Sequence, residues 1–154
     1  MTQRLEYKDA SPKGFQAMLG LEMHARGSGL EHSLLELVKT RASQINGCAY
    51  CLDMHTKDAR AAGETEQRLY VLPAWRETDF YTPRERAALA WTEAVTRLTN
   101  QEVPDEVYEE ARRHFGEQEI VDLTLAIIAI NGWNRLSIAF RAKAGTYQPP
   151  RHGK

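Results

Sequence analysis

The sequence lacks the features that mark several large classes of protein. Its 154 residues carry 20 Lys and Arg against 21 Asp and Glu, a net charge of −1, which offers no electrostatic reason to bind nucleic acid or an anionic membrane. Two cysteines cannot form the multi-bridge framework of a small secreted protein. The most apolar run, residues 123–130, is far shorter than the roughly 20 residues of a spanning helix. We expect neither a nucleic-acid partner nor a membrane association.

The N-terminus, MTQRLEYKDA, has no apolar core and no small-residue cleavage site. It therefore differs from a secretory signal, and a cytoplasmic location is the expectation. Glycine-rich phosphate loops and the Gly-x-Ser-x-Gly and His-Glu-x-x-His motifs are also missing, which removes support for ATP, serine-hydrolase and metalloprotease chemistry. Length and composition predict one globular domain over residues 1–154, with a tail over 145–154.

Apolar spacing and helix caps predict an all-α fold of six or seven helices. No segment alternates with a period of two for long enough to indicate a strand. Helix starts are marked by Ser11-Pro12 and by Thr82-Pro83 with Glu85, and Asn46-Gly47 is a break between helices. The predicted helices span about 12–26, 30–43, 48–62, 83–98, 104–115 and 117–143.

The last predicted helix is apolar on all sides over residues 125–130. A helix of this kind needs cover on every face. Either the chain forms a homo-oligomer, or this helix lies at the centre of a monomeric bundle.

The two cysteines and a histidine form the motif Cys48-x-x-Cys51-x-x-x-His55, at the start of a predicted helix. Steps of three and four residues put these side chains on one helix face. Free backbone N–H groups in the first turn favour a thiolate at Cys48, and the spacing allows a disulfide. His55 lies one turn beyond Cys51, where it can accept the thiol proton.

This pattern favours redox chemistry, in which a thiolate is oxidised to a sulfenic acid that condenses with the second thiol. Glu36, in the preceding helix, is the best candidate for a carboxylate that shuttles protons, although its neighbours do not decide whether it faces inwards. Two alternatives are a zinc site formed by Cys48, Cys51, His55 and Glu36, and a pair of unreactive buried cysteines. A thioredoxin-type site would need a βαβ unit, which the helical pattern lacks.

The run from Glu36 to His55 closely resembles the core motif of the alkyl hydroperoxidase D (AhpD)-like, or carboxymuconolactone decarboxylase, family. In that motif a glutamate lies twelve residues before a Cys-x-x-Cys, and a histidine follows four residues after the second cysteine. Glu36, Cys48, Cys51 and His55 match it residue by residue. The helical pattern over about 30–98 corresponds to the family's core, with a helical C-terminal part over about 104–144.

The resemblance implies an all-helical fold, a trimer or hexamer, and thiol-dependent peroxidase activity without a cofactor or metal. Cys51 would attack the peroxide, Cys48 would resolve the product, and Glu36 and His55 would relay protons. Helix position alone favours Cys48 as the more acidic thiol, so the two arguments differ on which sulfur attacks. Tyr50 stands where the peroxidase branch has a second histidine, and its phenol is a poor base at neutral pH.

Three further polar residues, Asn131, Asn134 and Arg135, interrupt the last apolar helix. One interpretation places them near the thiols or at a subunit contact. The other is that the helix leaves the core at this point. Lys57 and Asp58, just beyond His55, are expected on a solvated helix face.

The leading hypothesis is a cytoplasmic peroxidase that reduces hydrogen peroxide or alkyl hydroperoxides through a Cys48/Cys51 dithiol–disulfide cycle. An external dithiol would then reduce the disulfide. The alternative is a non-catalytic oligomeric redox sensor or binding module that keeps the cysteine pair.

Overall fold

The computed structural model describes residues 2–150, and within them every regular element is helical. Residues 151–154 of the expected tail lie outside this range. The α-helices in chain order are α1 (Tyr7–Ala10), α2 (Pro12–Gly27), α3 (His32–Asn46), α4 (Ala49–Ala61), α5 (Glu66–Val71), α6 (Pro83–Arg97), α7 (Asp105–His114) and α8 (Glu117–Phe140). Short 3-10 segments cover Leu72–Glu77 and Thr99–Gln101.

All six helices expected from the sequence are present, which confirms the all-α prediction. The last helix ends at Phe140 rather than near residue 143, because Arg141 adopts a left-handed conformation with φ 57°. The N–H groups of Arg141 and Ala142 bond back to the carbonyl oxygens of Ile138 and Ser137. The short helices α1 and α5 are additional to the six. Neither presents enough periodic apolar residues to be recognised from the sequence.

Helix α3 is the central element of the fold. It packs against α4, α6 and α8, and every residue from 34 to 43 is buried. Leu34, Leu35 and Val38 join the main hydrophobic core with residues of α6 and α8. Side chains at these positions are consequently enclosed whichever way they point.

Helix α8 is 24 residues long, and an 18-residue window within it has a mean hydropathy of 1.3, which is long and apolar enough to cross a membrane by length and composition alone. In this fold it packs against α2, α3 and α6, and Leu123, Ile127 and Ile130 are fully buried. Val121 and Ile128 remain 57% and 49% exposed. One chain therefore leaves part of this apolar helix uncovered.

A tight reversal at Gly47 joins α3 to α4. Gly47 has φ 70°, a left-handed conformation that glycine adopts without a Cβ penalty. The N–H groups of Gly47 and Cys48 bond to Gln44 O at 3.3 Å and Ser43 O at 3.0 Å. The reversal therefore ends α3 and places Cys48 directly at the start of α4.

The C-terminal segment, residues 141–150, returns across α4. Gly145 N–H donates to Asp53 Oδ2 at 2.9 Å, and Lys57 Nζ donates to the carbonyl oxygen of Tyr147 at 3.0 Å. Lys57 and Asp58 are therefore half-buried beneath this segment. The expectation that they form a solvated face is wrong, because the C-terminal segment of the same chain covers them.

Candidate active site

Cys48 and Cys51 lie at the N-terminus of α4, and both are free thiols with about 1% of their surface exposed. Cys48 is the N-cap residue, and its Sγ accepts a hydrogen bond from the Cys51 backbone N–H at 3.4 Å. This is the position where an α-helix best accommodates negative charge.

The two thiols differ in acidity. A hydrogen bond from the Cys51 thiol outweighs burial and, with the Cys51 N–H and hydrogen bonds from Asn134 and Ser137, lowers the pKa of Cys48 to about 7. The same thiol–thiol hydrogen bond, followed by burial, raises the pKa of Cys51 above its ordinary value. The first proton therefore leaves the pair from Cys48, near neutral pH.

Glu36 faces inwards from α3, which answers the question that the sequence left open. Its Oε2 lies 2.8 Å from Nδ1 of His55, and both residues are almost fully buried. Burial acts to raise the pKa of Glu36, but the hydrogen bond and charge of His55, with smaller contributions from Lys39 and His32, lower it below its ordinary value. Glu36 is therefore an ionised acceptor for the Nδ1–H of His55, and this contact leaves Nε2 as the ring nitrogen that can take up a proton.

A second charged group, Glu22 with Lys39 and Arg26, lies close to this pair. The Glu22 carboxylate bonds to the fully buried Lys39 ammonium, and Arg26 Nε donates to Glu22 Oε1 at 2.9 Å. Burial opposes ionisation of Glu22, yet the charges and hydrogen bonds of Lys39 and Arg26 lower its pKa. Sequence reasoning missed this group, because the residues next to Lys39 in the chain give no sign of its distant partner.

A cavity of about 190 Å3 leads to the site. Phe15 and Trp133 line it and contact each other edge to face, with ring centroids 5.6 Å apart. Cys51 and His55 both line the cavity, whereas Cys48 is not among its lining residues. The complete lining combines aromatic with polar and charged side chains: Tyr7, Phe15, Glu22, Arg26, Tyr50, Cys51, Met54, His55, Trp133 and Ser137.

Tyr50 is part of this lining, at the position of the family's second histidine. Burial and the nearby Cys51 raise its pKa, so Tyr50 stays a neutral phenol at physiological pH. It contributes surface and a hydrogen-bond donor rather than a base.

Helix α8 supplies polar groups behind the cysteines. Asn134 is fully buried; its Nδ2 donates to Ser43 Oγ at 3.0 Å, and its Oδ1 accepts from Asn46 Nδ2 at 2.8 Å. The interruption in α8 is therefore a buried polar contact with the end of α3 at Asn134, whereas Arg135 is exposed. Ser137 was not singled out from the sequence, although it lies three residues after Asn134, on the same helix face.

The zinc set considered from the sequence does not form. Across residues 2–150, a single group of three His, Cys, Asp or Glu side chains has ligand atoms within 4.8 Å of one another, namely Glu36, His55 and Asp58. Neither cysteine belongs to it. Glu36 and His55 bond to each other, and Asp58 Oδ1 accepts from the Tyr147 hydroxyl at 2.7 Å, so these atoms are already paired within the protein.

Fold and site together define an all-helical dithiol protein, with a Cys-x-x-Cys at a helix N-terminus beside a buried carboxylate–imidazole pair. Comparison with known proteins agrees with this description. The model of the carboxymuconolactone decarboxylase family matches residues 10–94, over half of the chain. The chain belongs to this family, which confirms the AhpD-like resemblance of its cysteine motif.

Several proteins are similar along most of their length. Uncharacterized protein YdfG of Bacillus subtilis (strain 168) is 48% identical over 146 residues, which cover 95% of this chain and 99% of YdfG. The crystal structure of ATU0492 from Agrobacterium tumefaciens, a protein of unknown function named as a candidate AhpD antioxidant defence protein, is 45% identical. It superposes with a TM-score of 0.91 over 95% of this chain and 100% of that one.

A more distant likeness concerns the fold alone. The debrominase Bmp8 is 21% identical, with a TM-score of 0.80 over 90% of this chain and 74% of Bmp8. The same helical framework is therefore found in a protein that acts as a debrominase.

Proposed function

We propose that this protein is a thiol-dependent peroxidase that reduces hydrogen peroxide or an alkyl hydroperoxide through its Cys48/Cys51 pair. The observation that carries the proposal is the cavity that Cys51 and His55 line together, with the acidic Cys48 thiol directly behind Cys51. A peroxide in this cavity meets a sulfur, a base and a second thiol in one place.

Cys51 is the attacking sulfur in this proposal, because it lines the cavity. His55, polarised by Glu36, takes the Cys51 proton on Nε2. The Cys51 thiolate attacks the terminal peroxide oxygen and the O–O bond breaks. Cys51 becomes a sulfenic acid, and the departing alkoxide takes the proton from His55 and leaves as the alcohol.

Cys48 then resolves the sulfenic acid. Its sulfur attacks Cys51 Sγ, an S–S bond forms, and the hydroxyl leaves with one proton as water. The Cys51 backbone N–H, which donates to Cys48 Sγ in the reduced protein, does not depend on the Cys51 thiol, and it supports this role because it favours the Cys48 thiolate. An external dithiol reduces the disulfide and is itself oxidised to a disulfide, which closes the cycle.

The comparisons support this proposal through family membership and through the name given to the A. tumefaciens relative. Bmp8 acts as a debrominase, but an identity of 21% transfers the fold and not the reaction. We infer further that the protein works as a homo-oligomer in the cytoplasm. The exposed Val121 and Ile128 of α8 would be covered in an oligomer, and two free thiols suit a reducing compartment.

A stopped-flow experiment tests the proposed activity. Reduced protein is mixed with hydrogen peroxide or cumene hydroperoxide, and peroxide loss and thiol content are followed together. We expect one peroxide consumed and one disulfide formed per chain, with repeated turnover when dihydrolipoamide is supplied. Cys51→Ser should consume no peroxide, whereas Cys48→Ser should consume one equivalent and stop at the sulfenic acid.

The same measurement separates the alternative function. A redox sensor would form the disulfide once and show no turnover with excess dithiol. Peroxide consumption by Cys51→Ser at the wild-type rate would refute the proposed mechanism.

A further inference from the structure

Tyr147, in the C-terminal segment, reaches the outer side of the Glu36–His55 pair. Its hydroxyl donates to Asp58 Oδ1 at 2.7 Å, while its carbonyl oxygen accepts from Lys57. Burial, followed by the hydrogen bond and charge of Asp58, raises the pKa of Tyr147. The residue is therefore a neutral phenol at physiological pH and donates this hydrogen bond.

Asp58 lies on α4 three residues after His55, on the same helix face. A carboxylate oxygen of Asp58 lies within 4.8 Å of ligand atoms of both His55 and Glu36. This is close enough for a change of side-chain rotamer to make Asp58 a second acceptor for the imidazole. Two carboxylates on one imidazole would stabilise the imidazolium, so that less of His55 would be in the form that can accept a proton at neutral pH.

We propose that Tyr147 is a positioning residue: its hydroxyl holds the Asp58 carboxylate away from His55, so that Glu36 alone orients the imidazole. The importance of this for turnover rests on the proposed peroxidase function, in which His55 is the base. The positioning itself is a property of the resting protein, and it can be measured without any peroxide.

Charged and titratable groups from three helices surround the Glu36–His55 pair. From α3 come Glu36 at 2.8 Å and His32, whose Nε2 lies 3.8 Å from Glu36 Oε1. From α2, Arg26 interacts through its charge with Glu36 and Asp58. Asp58 on α4 and Tyr147 of the C-terminal segment meet at the outer side of the Glu36–His55 pair.

The experiment is an NMR titration of the reduced full-length protein with labelled histidine rings. The His55 signal is identified by its loss in His55→Gln. In Tyr147→Phe we expect the measured pKa of His55 to rise by about half a unit, because the freed carboxylate turns to the ring. Asp58→Asn removes the competing charge, so Tyr147→Phe should add no further shift in the Asp58→Asn background.

A matched control separates the hydroxyl from the attachment of the segment. Asp53→Asn weakens the contact with Gly145 and keeps the Tyr147 hydroxyl on Asp58, and we expect it to leave the His55 titration unchanged. An unchanged titration in Tyr147→Phe would overturn the inference. So would an equal shift in Asp53→Asn, or a Tyr147→Phe shift that persists in the Asp58→Asn background.

The outcome is distinguishable from that of the proposed function. A protein that shows the His55 shift but consumes no peroxide retains the positioning role and loses the peroxidase proposal. A protein that consumes peroxide without the His55 shift retains the peroxidase proposal and loses the positioning role of Tyr147.

Discussion

The backbone N–H of Cys51 points at the sulfur of Cys48 across 3.4 Å. Because Cys48 is the N-cap of α4, this contact performs the task that serine or aspartate performs at other helix starts. A neutral thiol is a weak acceptor, whereas a thiolate is a strong one. The helix start and the ionisation of Cys48 therefore stabilise each other.

The first prediction concerns this ionisation. Since the pKa of Cys48 is lowered to about 7, the thiolate should be mostly absent below pH 6 and mostly present above pH 8. Absorbance near 240 nm should show one thiolate per chain with a midpoint close to 7. Cys48→Ser should lose this step, and a wild-type midpoint near the ordinary thiol value of 9.0 would contradict the assignment.

The second prediction concerns Glu36. Glu36→Gln preserves size but removes the charge that favours the His55 imidazolium, so the pKa of His55 should fall and proton removal from Cys51 should weaken. We expect the second-order rate with peroxide at pH 7 to drop by about 10- to 100-fold, measured by stopped flow.

Glu31→Gln is a suitable control for Glu36→Gln, since Glu31 precedes α3 and forms an exposed pair with Arg84 at 2.9 Å. Its rate should match the wild type. Equal losses in the two variants would show that charge removal acts nonspecifically.

The third prediction concerns Asn134. Asn134→Ala removes buried hydrogen bonds with Ser43 and Asn46 and one of the contacts that lower the pKa of Cys48. The thiolate midpoint should therefore move upwards, and the free energy of unfolding should fall by about 1–3 kcal/mol. Denaturant unfolding and the absorbance titration measure the two effects.

Asn131→Ala provides the comparison for this site. It also loses a hydrogen bond with Asn46 at 2.9 Å, so some stability should be lost while the midpoint stays in place. A midpoint unchanged in Asn134→Ala would exclude a role for Asn134 in thiol acidity.

The fourth prediction compares two glycines that both have open space around a built Cβ. Gly47→Ala forces alanine into a conformation with φ 70° and should destabilise the protein by about 1 kcal/mol. Gly20→Ala, inside α2, should stabilise it by about 0.5–1 kcal/mol, because alanine favours the helix. Changes of the same sign in denaturant unfolding would contradict this explanation of the α3–α4 reversal.

Local signals in the sequence account for much of the fold. The capping box formed by Thr82 and Glu85, the left-handed Gly47 and the apolar spacing of α3 each act within a few residues. Such signals depend on backbone hydrogen bonds and side-chain periodicity close in the chain. The six long helices could therefore be predicted almost to their ends.

The candidate site could be predicted only in part. The steps from Cys48 to Cys51 and His55 follow from helix geometry, but the contact of His55 with Glu36 depends on how α3 packs against α4. The cavity needs Phe15 from α2 beside Trp133 from α8, and Tyr147 reaches Asp58 across 89 positions. Pairings over such distances are decided by packing of the whole chain, which leaves no pattern in the local sequence.

The near-complete burial of both sulfurs has a kinetic consequence for the proposed cycle. A small peroxide fits a cavity of about 190 Å3, whereas a partner dithiol has to bring its own sulfur into covalent contact with a disulfide that is hardly exposed. Reduction therefore requires a local opening that oxidation does not. Helix α3 is enclosed and is therefore the least able to open. The opening then has to occur in the shorter elements that cover the cavity from outside. The rate of oxidation would then be limited by encounter with the peroxide, and the rate of re-reduction by local opening of the protein.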